Sequence, residues 1–165
     1  IFLEMDMDVH NLKKTRNYLI GSRQRKLQFL QTDGINQICK TLKELTLKND
    51  SSDQLCKLLQ ILGSLGQQEV CAKKIIEQEE LINALATAAS LPLLQVRVNG
   101  IHCIDALMSH PGHGNVLALS AGIQALLPVL IPFLAFPHKD PCLLYPVIRI
   151  LSHLTCLVEC WGEEF

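Results

Sequence analysis

The stretch Asn115 to Leu134, NVLALSAGIQALLPVLIPFL, constrains this chain most: it is strongly apolar and carries no charge. An apolar window of about 20 residues is long enough to span a bilayer. Three features favour two short helices joined at Ala121-Gly122 instead. Ser120, Gly122 and Gln124 fall together near its centre, and a glycine there ends a short helix by supplying a left-handed backbone conformation. Pro128 and Pro132 interrupt the second half and would strain one straight helix. The pattern also recurs. Lys26 to Leu45, KLQFLQTDGINQICKTLKEL, has an apolar-periodic piece, a break at Asp33-Gly34, then Ile35, Ile38, Leu42 and Leu45. Cys71 to Leu85, CAKKIIEQEELINAL, is a fainter copy with Glu79-Glu80 at the break. A lone membrane helix has no reason for polar siblings at regular spacing.

Periodicity and punctuation predict helices along the whole chain. They run over Asp8 to Ile20, Arg23 to Gln31 capped by Ser22, Ile35 to Leu47, and Asp53 to Leu65 with Gly66 at its end. Glu69 to Gln78, Glu80 to Ala89 and Pro92 to Met108 follow. His110-Pro111-Gly112-His113-Gly114 reads as a loop. The cycle restarts at Asn115, passes Gly122 and Phe136, and turns at Pro137 to Pro141. A last helix runs from about Leu143 to Cys160, with Pro146 in its first turn, where proline is tolerated. The break before the second helix falls at Gly34, Glu80 and Gly122, separations of 46 and 42. The long helices end near Gly21, Gly66 and His110, separations of 45 and 44.

A period in the low-to-mid forties with three helices per unit is the signature of an armadillo repeat, and the two-helix HEAT repeat shares the period. Asn115 to Leu130 and Gln24 to Leu42 resemble the armadillo consensus, an apolar short helix with an Ala-Gly or Asp-Gly break before a Leu-rich helix. The expectation is an all-α, right-handed armadillo/HEAT-like helical solenoid of about three repeats over residues 1–165. The units are 1–21 (partial), 22–66, 67–110 and 112–161, in what reads as a fragment of a longer chain. Each unit leaves an apolar face that only a neighbour covers. A narrower resemblance rests on NYLIGSRQRKLQFLQTDGI (Asn17 to Ile35), LLQILGSLGQQ (Leu58 to Gln68) and RVNGIHCIDALM (Arg97 to Met108). These segments look like the armadillo subunit of the GID/CTLH-type ubiquitin ligase complex, which implies a non-catalytic scaffold. Nuclear-import adaptors of the armadillo class carry Trp and Asn on successive third helices, where they bind basic peptides. The matching places here are Leu59 and Gly63, His102 and Ala106, and Arg149 and His153, and the only tryptophan is Trp161. Recognition of import signals is therefore not expected.

Composition narrows the function further. Net charge is −1, which implies no bulk attraction to nucleic acid or anionic membrane. Seven widely spaced cysteines with no C-x-x-C suggest reduced, buried thiols in an intracellular protein, cytoplasmic or nuclear. Ile1-Phe2-Leu3 is followed by Glu4, Asp6 and Asp8, the wrong flank for a signal peptide. No phosphate loop, nucleophile elbow or zinc-protease motif is present, so neither an enzyme nor a cofactor is expected. His153, Cys156 and Cys160 share one helix face, yet three residues lack a fourth zinc ligand, and small core residues explain the cysteines as well.

The sites expected from sequence bind protein. Arg97, Asn99, His102, Arg149 and His153 are candidates to line a groove that holds a peptide or a partner helix. Arg23, Arg25 and Lys26 form a candidate basic patch for an acidic partner segment, or simply a solvated face. Two alternatives compete with this adaptor. One is a self-associating or complex-assembly module that uses exposed repeat ends. The other is a membrane hairpin built from Val116 to Phe136 and Leu143 to Val158.

Overall fold

A computed structural model describes residues 7–48, 52–135 and 141–162. The described residues form helices and no strand. In chain order these are α1 (Val9–Leu19), α2 (Arg23–Leu30), α3 (Gly34–Lys48), α4 (Ser52–Gly66), α5 (Glu69–Ile76) and α6 (Glu79–Ser90). Then come α7 (Leu94–Met108), α8 (His113–Ala118), α9 (Ala121–Gln124), α10 (Leu127–Leu130), α11 (Pro132–Ala135) and α12 (Pro141–Gly162).

Local chemistry explains the boundaries. The Asp8 carboxylate accepts from the Asn11 N–H at 2.8 Å and starts α1. Gly21, at φ 74°, turns the chain, and Ser22 Oγ accepts from the Arg25 N–H at 3.3 Å to start α2. Thr32 Oγ1 donates to the Phe29 carbonyl at 2.6 Å and accepts from the Gly34 N–H at 3.1 Å, which stitches α2 to α3. Leu91 precedes Pro92 and is extended, so α6 stops there and α7 begins at Leu94, two residues later than the sequence suggests.

Packing follows a simple order. Each of the first six helices packs on the helix three places later: α1 on α4, α2 on α5, α3 on α6, α4 on α7, α5 on α8 and α6 on α9. After the short helices α9 to α11, it is α12 that packs on α7. The long helices α1, α4, α7 and α12 therefore lie side by side. Side-chain hydrogen bonds between distant elements repeat the same offset, joining residues 37 to 47 apart in sequence. Helix α4 sits between neighbours, and its Leu55, Leu58, Leu59, Ile61, Leu62 and Leu65 are all fully buried. Fully burying such a side chain is worth about 1.5–3 kcal/mol.

Several expectations are corrected. Gly122 does not end a helix in the left-handed region; it is the second residue of α9, and the positive φ values belong to Gly21 and Gly112. Its role is close approach, because a Cβ there would lie 2.9 Å from Asn83 Oδ1 and 3.3 Å from Ala86 Cβ on α6. Gly34 likewise opens α3, where a Cβ would run into the Phe29 ring. The loop at His110 to Gly114 already contains the start of α8. Pro146 lies in the second turn of α12, since that helix starts at Pro141. The membrane hairpin fails on its first arm: Val116 to Ala135 is broken into α8 to α11, and no helix among the described residues is long and apolar enough to cross a membrane. Cys39, Cys56, Cys71 and Cys103 are buried, but Cys142 and Cys156 are exposed. The predicted turn at 137–141 and loop at 49–53 fall largely outside the described residues, as does the Cys160 side chain.

Candidate functional site: a groove across the long helices

Four helices build a groove of about 730 Å³ lined by polar side chains together with Ile20, Leu59 and Ala106. Arg16 comes from α1 and Ile20 from its C-cap, and Gln60, Gly63 and Ser64 come from α4 with Gln67 just past its end. Asn99, His102, Cys103 and Asp105 come from α7 and Ser109 from its C-cap, and Arg149 comes from α12. The spacing on α4 and α7 is that of one helical face, repeating every three or four residues.

Hydrogen bonds run across the helices. Arg16 Nη1 donates to Gln60 Oε1 at 2.7 Å, Gln60 Nε2 donates to Asn99 Oδ1 at 3.1 Å, and Asn99 Nδ2 donates to the Gln95 carbonyl at 2.8 Å. At the other end Arg149 Nη2 donates to Asp105 Oδ2 at 2.6 Å. Asp105 is 8% exposed, and its Oδ1 has no hydrogen-bond partner among the described residues. Burial raises its pKa, and the Arg149 and His102 charges pull it back part of the way. Cys103 is held as a thiol, with its pKa pushed up to about 12 by burial. The lining offers hydrogen bonds and ion pairing.

A second concavity, about 820 Å³, lies between α3 and α6 and includes Asn36, Lys43, Gln78 and Glu80. It is larger, but two helices build it and the exposed Lys43–Glu80 ion pair bridges it. Such a surface pair contributes little. The groove across four helices, with a buried carboxylate in it, is the stronger candidate.

The structure gathers some of the residues singled out from sequence and separates others. Asn99, His102 and Arg149 line the groove. Arg97 does not; its Nε donates to the Leu91 carbonyl at 2.6 Å and closes the end of α6. His153 also lies outside the lining, with its ring against Gly114 of α8. The basic patch is not three free charges. Arg23 is exposed, but Arg25 sits 4.7 Å over the Tyr18 ring and donates to the Tyr18 carbonyl at 3.3 Å. Lys26 is 6% exposed and points inward, donating to Gln67 Oε1 at 3.4 Å. Burial lowers its pKa, opposed in part by Cys71. Gln60, Asp105 and the groove role of Arg16 were missed. Each was detectable as half of a polar pair offset by 44 residues, Arg16 with Gln60 and Asp105 with Arg149. Among the described residues no three His, Cys, Asp or Glu side chains gather as a metal site.

Compared with known proteins, the chain matches no family model, no curated protein and no solved structure.

Proposed function

We propose that the chain is an armadillo-type helical solenoid of about three repeats, and that it works as a non-catalytic scaffold or adaptor. Its groove across α1, α4, α7 and α12 receives a segment of a partner protein. The observation that carries this reading is the polar ladder Arg16–Gln60–Asn99 with the neighbouring Asp105–Arg149 pair. Polar side chains with hydrogens to spare, aligned over four helices, suit a ligand laid across the stack. The recurring offset of 37 to 47 residues in the cross-element hydrogen bonds supports the repeat reading. Buried free thiols at Cys39, Cys56, Cys71 and Cys103 favour an intracellular setting. The resemblance to the ligase subunit makes a ubiquitin-ligase assembly the first partner set to try.

Photo-cross-linking tests the groove. A photoreactive residue at the exposed His102 is expected to capture a partner in cells, whereas one at the exposed Thr87 on α6 is not. Capture from Thr87 alone would refute the groove assignment.

One observation favours a second reading. Ile131, Leu134, Tyr145 and Ile148, on and around α10 to α12, are 45–65% exposed apolar side chains near one end of the stack. Such a surface suits assembly with another chain. A mass that rises with concentration would be its signature.

A further inference from the structure

We infer that the groove takes an acidic, extended peptide, whose carboxylates and backbone carbonyls meet Arg16, His102 and Arg149 and the spare amide hydrogen of Gln60. The inference rests on the groove reading above and adds the chemical class of the partner.

It follows from where the acceptors and donors of the lining are already used. Gln60 Oε1 is taken by Arg16, Asn99 Oδ1 by Gln60, Gln67 Oε1 by Lys26 and Asp105 Oδ2 by Arg149. Asp105 Oδ1 is shut away from solvent. Donors remain. A carboxamide carries two N–H groups and a guanidinium five. Gln60 uses one on Asn99 and Arg149 uses one on Asp105, whereas Asn99 spends its amide hydrogens on the Gln95 carbonyl and the Cys56 thiol. Arg16 keeps hydrogens beyond those it gives to Gln60 and Asn17. His102 is exposed beside them. The charged groups with capacity left are N–H donors, and the Ser109 hydroxyl is the exposed acceptor beside them, so a ligand rich in oxygen acceptors engages more of the lining than one rich in donors.

Charge points the same way. The lining holds two arginines and one carboxylate, and that carboxylate is already bonded to Arg149. An incoming lysine or arginine would meet the Arg16 cation, an Arg149 already joined to Asp105, and no accessible free carboxylate oxygen. Carboxylates would make charge-assisted bonds with both guanidinium groups. The lining has no Phe, Tyr or Trp on which bases would stack, which disfavours single-stranded nucleic acid. Length fits as well. Packed helices lie about 8–10 Å apart, so α1 to α12 spans about 24–30 Å. An extended chain rises about 3.3 Å per residue, so about eight residues cross the groove.

A random ten-residue peptide library selected against the full chain tests this. The expected result is enrichment in Asp and Glu. The enriched peptide should bind less tightly as salt rises. Arg16→Gln should weaken it roughly five-fold, and Asp105→Asn/Arg149→Gln by a similar factor. The double variant removes the carboxylate together with its partner, so no buried charge is stranded; circular dichroism checks the fold. Enrichment in basic or neutral peptides that these variants still weaken would overturn the inference and leave the groove reading standing. Acidic peptides indifferent to all the variants would place the acidic site elsewhere and overturn the inference. No enrichment, or displacement of the peptide by a thymidine oligonucleotide, would overturn the inference and count against the groove reading as well.

Discussion

Asp105 carries the most consequential single-residue chemistry in the molecule. Its carboxyl is buried in α7 with one oxygen bonded to Arg149 and the other unpaired. Burial makes the folded chain hold the Asp105 proton more tightly than the unfolded chain does. The stability this group contributes is therefore fully present below the ordinary carboxylate pKa and is lost as pH rises through the raised value. Arg149, whose side chain is 57% exposed, softens that loss. Arg149→Ala is expected to destabilise the fold by about 1–2 kcal/mol at about pH 7. The loss should shrink at about pH 4, where more of Asp105 is protonated. Urea unfolding at the two pH values checks this, and a loss that is equal or larger in acid contradicts it. Sequence inspection placed Arg149 in the groove but passed over Asp105, because one carboxylate in the apolar run of α7 has no local signal. Its partner lies 44 residues away, and only the period applied to polar residues would have paired them. Lys26 was misplaced for a related reason: its charge suggested solvent, while its position on α2 faces Gln67 and Cys71.

Between elements, small residues set how closely helices approach. Gly63 and Gly100 are both helical, yet they should respond oppositely to alanine. At Gly100 a Cβ would lie 2.7 Å from Ala89 Cβ and 3.1 Å from Ala89 Cα, so α6 and α7 would have to part. At Gly63 the nearest atom is Cys103 Cα at 3.5 Å, an ordinary contact. Gly100→Ala is expected to destabilise by about 1–2 kcal/mol after its helix-propensity gain is counted. Gly63→Ala should stabilise by about 0.5–1 kcal/mol. Denaturant midpoints of the two variants read the signs, and equal signs would contradict the packing described for α6, α7 and α4. Element identity was largely legible in the sequence, because apolar periodicity and caps such as Asp8 and Ser22 are local signals. The cutting of 121–135 into α9, α10 and α11 was legible only in part. Pro128 and Pro132 lack the N–H groups that would reach back one turn, and the sequence alone did not show how many pieces result. Gly34 and Gly122 looked like turn formers because close approach to Phe29 or Asn83 is invisible until the helices are packed.

Across the whole molecule, one offset organises both the packing and the groove. Helices pack on the helix three places later, and the polar bonds between them follow. The spacing of 42 to 46 residues read from Gly34, Glu80 and Gly122 and from the helix ends falls within the 37 to 47 residues that separate the bonded side chains, although Gly122 lies inside α9 and is not a break. The resulting row of α1, α4, α7 and α12 carries the groove proposed as the binding surface. The side-chain amides of that surface report on it directly. In the isotope-labelled chain, titration with the partner segment captured through His102 is expected to shift the NH2 signals of Gln60 and Asn99. Those of Asn36 and Gln78, in the concavity between α3 and α6, should stay in place. Shifts at Asn36 and Gln78 with Gln60 and Asn99 unmoved would contradict the groove as the binding surface.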